Sequence, residues 1–261
     1  MVTGSKPVPA PHDVLGRVPT GRSLRYELAA AARSRGVRSS VAEAITETHA
    51  AIERIDVPTV DLERVRRRVA AATGEEERLK ERVAAARGDV RGRRAVDAPV
   101  EEATAELESA AAELSAAQTE RIAAEQALER ERERAEAARD ARERRLRLRD
   151  RLRNRRREAR TELARAVYPS VPEALEAVPI GDSRDAGESP GDYAGSDLAA
   201  SLAAIRIAEL ENPVTISDRV LHAFAAVSTP QPTRLEAAEA TAATTAAERI
   251  LGVPVERDDD L

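Results

Sequence analysis

Residues 16–23 read Gly16, Arg17, Val18, Pro19, Thr20, Gly21, Arg22 and Ser23. Their spacing matches a phosphate-binding loop, in which glycines let backbone amides approach a phosphate and a lysine beside the second glycine reaches it. Arg22 stands where that lysine belongs. Val214, Thr215, Ile216, Ser217 and Asp218 offer an apolar run ending in an acid, the form of a metal-facing strand end. Against nucleotide hydrolysis stand the replaced lysine, the lack of a clear buried strand before the loop, and the few residues (1–57 and 196–261) left for a catalytic head. The expectation is a Pro/Gly turn, with a degenerate nucleotide-binding protein as the alternative.

Between Arg142 and Arg160 there are eleven arginines against three acids. Arg145, Arg149, Arg155, Arg156 and Arg157 are the candidate nucleic-acid contacts, since phosphate-backbone binding needs cations and no base-reading aromatics. The competing reading is a solvated helix face answered by acids elsewhere in the chain. His12, His49 and His222 are too scattered for a metal site. The absence of cysteine removes disulfides, thiolate metal sites and cysteine nucleophiles. Carboxylates recur at helical spacing, as on any charged helix surface. No nucleophile motif stands out, so neither catalytic residues, a metal nor a cofactor is expected.

Any such chemistry must be positioned by unusual material. Only 2% of the 261 residues are aromatic, with one Phe and no Trp, so large core anchors are scarce and alanine must supply most buried surface. Lysine occurs only at Lys6 and Lys80, while arginine supplies the other cations of a chain with formal net charge -5. Arg for Lys, with abundant Ala, Glu and Asp, suggests a GC-rich genome and a salt-loving host. No apolar run reaches membrane-span length, and the first residues lack the basic start and apolar centre of a signal peptide. A cytoplasmic protein without membrane contact is expected.

Residues 100–167 contain no glycine or proline. As one helix they would extend about 100 Å, too long for a small domain core. A partner arm begins at Leu62, where Val65, Val69, Ala72, Leu79, Val83, Ala86 and Val90 follow at heptad spacing with Glu76 filling one slot. The second arm carries Val100, Ala103, Leu107, Ala110, Leu114, Ala117, Ala124 and Leu128 in phase, with Arg121 as its polar exception. Gly88, Gly92 and Pro99 mark a tip over residues 88–98. The predicted fold is mainly α: a long antiparallel coiled-coil hairpin over 39–168, with a small C-terminal α/β module at its base.

Because the first arm is shorter, the distal half of the second needs a helix over residues 40–55 as its cover. Ser40 to Glu43 matches a capping box for that helix. Glu43, Glu47 and Glu53 should then answer the arginines of 142–160, with Ile45 and Ile52 packing toward Leu148 or Leu152. Residues 1–38 read as an N-terminal arm with a short helix closed by Gly36, and 169–195 as an acidic flexible linker following the stops at Pro169 and Pro172. Residues 196–261 read as a small helical or α/β module with an acidic tail: helices over 196–210, 218–227 and 233–251, the last opened by a capping box at Thr233 to Glu236, and short strands at 213–216 and 253–255.

Residues 114–128 (Leu-Ser-Ala-Ala-Gln-Thr-Glu-Arg-Ile-Ala-Ala-Glu-Gln-Ala-Leu), 144–151 (Arg-Arg-Leu-Arg-Leu-Arg-Asp-Arg), 25–36 and 246–255 resemble a family of haloarchaeal coiled-coil proteins of unknown function. The resemblance spans most of the chain outside the acidic linker. It implies a cytoplasmic, salt-adapted setting and transfers no site residues. The expected function is that of a non-enzymatic scaffold or tether with a protein partner, compatible with self-association. The alternative is a nucleic-acid-associated accessory factor using Arg142 to Arg160.

Overall fold

Alanine and leucine at close spacing, separated by isolated prolines and glycines, give a mainly helical chain with one small sheet. The computed structural model describes residues 8–225 and 237–258. In chain order the elements are α1 (Pro11–Leu15), β1 (Arg17–Val18), α2 (Leu24–Ser34), α3 (Ala42–Glu53), α4 (Leu62–Ala95), α5 (Glu101–Val167), α6 (Val171–Ala177), α7 (Asp197–Ile207), β2 (Val214–Ser217), α8 (Asp218–Leu221), α9 (Ala237–Leu251) and β3 (Val255–Asp258). The expected capping box at Thr233 to Glu236 lies outside the described residues, as does the acidic tail beyond Asp258. The chain divides into two units, residues 1–51 with 149–261, and residues 52–148.

The first unit holds the core. Its strands are all parallel in the order β1-β2-β3, with Val18 opposite Ile216 and Val214 opposite Val255. Parallel neighbours require crossovers, and helices lie between successive strands in sequence. α2 packs against α7, and Ala29 to Ala32 on the one and Ala199 to Ala204 on the other are each at most 2% exposed. Small side chains there let the two backbones approach closely. Leu28, Leu175, Leu202, Ile205, Leu221 and Leu251, all fully buried, fill the space that the scarce aromatics would otherwise take.

Three expectations are corrected in this unit. Residues 1–38 and 196–261 are not separate domains, because β1, α1 and α2 build the same core as α7, β2 and β3. Residues 169–195 are not a flexible linker: α6 buries Val171, Ala174 and Leu175, and Val178 and Ala186 follow them into the core. Pro169 and Pro172 occupy first-turn positions, where a helix amide has no partner to lose, so they begin turns as well as end α5. The Tyr168 hydroxyl donates to the Ala186 carbonyl and Ala194 N donates to the Asp185 carbonyl at 2.9 Å, which pins the segment. At residues 40–43 there is no capping box. Ser40 N donates to Glu162 Oε1 at 2.9 Å, and the Ser39 hydroxyl donates to Glu162 Oε2 at 2.5 Å. A carboxylate from α5 thus takes the role expected of Glu43.

In the second unit, Asp61 accepts from Arg64 N at 3.0 Å and starts α4. The buried positions of α4 are Val65, Ala72, Glu76, Leu79, Val83, Ala86 and Val90. On α5 they are Ala103, Ala110, Ala124, Glu131, Ala135 and Ala138. Asp61 N donates to Glu131 at 2.7 Å, Arg68 pairs with Glu120 at 2.6 Å, Glu76 with Arg121 at 2.5 Å, and Arg82 with Glu106 at 2.6 Å. The two polar exceptions of the heptad pattern, Glu76 and Arg121, are therefore partners. The expected tip at 88–98 is corrected. α4 continues through Gly88 and Gly92 to Ala95, and the break falls at residues 96–100, where Asp97 takes a φ of 52°.

Candidate functional site

The phosphate-loop pattern is occupied by local bonds. Gly16 ends α1 with its amide on the His12 carbonyl at 2.7 Å, and β1 lies inside the motif, not ahead of it. The Arg22 amide is held by the Thr20 hydroxyl oxygen at 3.0 Å, and Thr20 in turn donates to the Glu27 carboxylate. The loop hydroxyl is thereby turned to an inward carboxylate, a group that disfavours an anion beside it. The segment 214–217 does form β2 beside β1, but both oxygens of Asp218 are engaged by the Arg257 guanidinium at 2.5 Å.

Glu27 is fully buried on α2. The Ser201 hydroxyl of α7 donates to its Oε1 at 2.6 Å, alongside Thr20, while Oε2 has no hydrogen-bond partner. Burial pushes this carboxyl above its ordinary value, the two hydroxyl donors oppose the shift, and the nearby Asp197 charge adds to it. Tyr193, whose hydroxyl donates to the Ser196 carbonyl at 2.8 Å, is pushed up to about 12 by burial first and Asp185 second. Glu27 and Ser201 are buried and bonded to one another, so the cluster reads as a polar joint between α2, α7 and the loop after β1.

The arginines singled out on α5 are dispersed. Arg155 donates to the Ala44 carbonyl at 2.7 Å and to the Thr48 hydroxyl, which consumes it in holding α3. Arg157 lies with Asn154, Glu158, Glu162 and Arg165 on another part of the helix surface. Arg145 and Arg149 are half-buried, and Arg145 Nε is buried without a hydrogen-bond partner. The ion pairs Arg147–Glu143 and Arg153–Asp150 run along α5 itself. Among the described residues, Glu43 and Glu47 make no ion pair with α5. The expected carboxylate cover is thus replaced there by a hydroxyl and a carbonyl, which short alanine and threonine side chains leave within reach of the guanidinium.

Arg156 enters a larger concave site, apart from the shallow pocket that Arg157 lines. A groove of about 1150 Å³ in the first unit is lined by Arg22, Arg33, Arg38, Arg156 and Arg160, with Tyr26 among them. Its apolar walls include Val37, Ile45, Ala159 and Leu163. The guanidiniums of Arg22 and Arg160 lie 5.7 Å and 5.4 Å from the Tyr26 ring centroid. Arg33 is anchored by donating to the Pro9 carbonyl at 2.7 Å and to the Ala29 carbonyl at 3.3 Å. The acid in the lining is Asp13, whose carboxylate accepts from Ala10 N at 2.8 Å. Four of these arginines lie outside or at the edge of the cluster visible in sequence. Only the packing of α2 and the residues after it beside α5 gathers them.

Among the described residues no group of histidine and acidic side chains is disposed to hold a metal, and no helix is long and apolar enough to cross a membrane. Residues 1–255 match the model of a family of unknown function (DUF7856), and the chain belongs to that family. No curated protein and no solved structure matches the chain.

Proposed function

We propose that this protein is a non-enzymatic scaffold or tether that acts in the cytoplasm, with α4 and the facing part of α5 forming an antiparallel coiled-coil hairpin that docks a protein partner. The observation that carries this reading is the ladder between the two helices. Asp61 meets Glu131, Arg68 meets Glu120 and Arg82 meets Glu106, so partners on α5 descend as positions on α4 ascend. The buried side chains of this unit form one thin row on each helix, which suits an interaction arm and leaves little enclosed volume for a substrate. Buried carboxylates at Glu76, paired with the half-buried Arg121, and at Glu131 support the same reading, because polar residues in such a seam select register at some expense of stability.

Ile122 and Leu146 are large apolar side chains left 48% and 57% exposed on α5, and they are the natural positions to interrogate. With a photo-crosslinking amino acid placed at either position in the native host, a discrete adduct with another protein is expected. An adduct of twice the chain mass identifies a second copy as the partner. Absence of any protein adduct above that from a buried control at Leu202 defeats the reading.

A further inference from the structure

The groove between α2, the residues after it and the 156–163 segment of α5 goes beyond the scaffold reading and does not depend on it. Five guanidiniums line a single concavity in a chain whose net charge is negative. Like charges gathered over apolar walls repel one another, and their field is focused by the low-dielectric surface beneath them. Native surfaces normally answer such a cluster with carboxylates. Here Asp13 is already occupied by Ala10 N, and among the described residues Arg22, Arg38 and Arg160 have no carboxylate partner. Two of them are instead held against the Tyr26 ring, an arrangement that fixes a guanidinium while leaving its donors available. Arg33 is half-buried with its guanidinium tied to two carbonyls, and burial lowers its pKa, so an incoming anion would relieve a cation that the fold holds away from water.

We propose that this groove binds a phosphate ester carrying at least two negative charges on an apolar or aromatic body. Arginine forks match phosphate oxygens in pairs, and several forks at one site favour a ligand with more than one charged group. Val37, Ile45, Ala159 and Leu163 provide apolar surface for the uncharged part. The groove volume lies just above the usual range for small-ligand sites, roughly 300–1000 Å³, and so accommodates either a free nucleotide or a short stretch of single strand. Both sources offer the same chemistry, and the probes below separate them.

The full chain is titrated at the lowest salt that preserves its helical circular dichroism, with ATP, inorganic pyrophosphate, a six-nucleotide single-stranded DNA and poly-glutamate as probes. Saturable one-to-one binding of ATP or of the oligonucleotide is expected, with roughly tenfold weaker binding for each of Arg38→Ala and Arg160→Ala. Arg38→Lys should recover only part of the loss, because lysine restores charge but not the fork. Binding of ATP and pyrophosphate identifies a free phosphate compound, whereas binding of the oligonucleotide alone identifies a strand. Equal or tighter binding of poly-glutamate overturns the proposal in favour of an acidic peptide. Absence of binding by every probe, or binding unchanged in a folded Arg22→Ala, Arg38→Ala, Arg160→Ala triple variant, overturns it outright.

Discussion

The Glu27 carboxyl accepts two hydroxyl donors on Oε1 and leaves Oε2 unpartnered in the core, an arrangement that suits the protonated acid better than the anion. Its folded-state pKa is raised, so the stability it contributes is fully present below the ordinary carboxylate value and is lost as pH rises through the folded value. Glu27→Gln keeps an acceptor for Thr20 and Ser201 and cannot ionise. It should melt close to the parent protein at acid pH and at a higher temperature near neutrality. A melting-temperature difference that stays constant across that range would contradict the raised pKa. Nothing in the local sequence announces this residue. A glutamate between Tyr26 and Leu28 looks like any helix-surface acid until α7 brings Ser201 against it.

α4 is a continuous helix through three glycines, Gly74, Gly88 and Gly92. A Cβ added at any of them meets nothing within 4 Å, and none has a positive φ. Glycine in a helix interior costs about 1 kcal/mol relative to alanine, a penalty that the burial of Val83, Ala86 and Val90 along the same turns outweighs. Gly88→Ala and Gly92→Ala should therefore each stabilise the chain by roughly 0.5–1 kcal/mol, read as an upward shift in the denaturant midpoint. Were residues 88–98 a loop, the same changes would be neutral or harmful. The long helices were legible because the heptad spacing of Val65 through Val90 and the unbroken stretch before Val167 are local signals. The exact turn was not, since a helix can carry isolated glycines when its seam is buried. The same limitation hid α6, whose prolines read as stops although a first-turn proline is compatible with a helix start.

Non-local assembly sets what sequence reading reaches for the whole molecule. β2 could be anticipated from Val214 to Ile216, whereas β3 runs Val255–Asp258 and shares only Val255 with the strand expected at 253–255. β1 is two residues inside a Pro/Gly stretch and exists because Ile216 offers Val18 a parallel neighbour. The arginine groove shares that character: Arg22, Arg33 and Arg38 are far in sequence from Arg156 and Arg160, and no spacing rule links them. The first unit is built from both chain ends, with α3 held on α5 by Ser40 to Glu162 and by Ala44 and Thr48 to Arg155. Partner positions on α5 decrease as those on α3 increase, so Ala51 and Arg149, the bounds of the first unit within those helices, approach the same level. Replacing residues 52–148 with a short glycine/serine loop should therefore leave a unit that melts cooperatively by circular dichroism and keeps the arginine groove. Removing residues 1–37 from that shortened chain should abolish cooperative melting, because β1, Leu28 and the alanine face of α2 leave with them. If the shortened chain cannot melt cooperatively while its residues 1–37 are still present, the first unit depends on the second for its fold, and the division drawn from packing is not a division in stability.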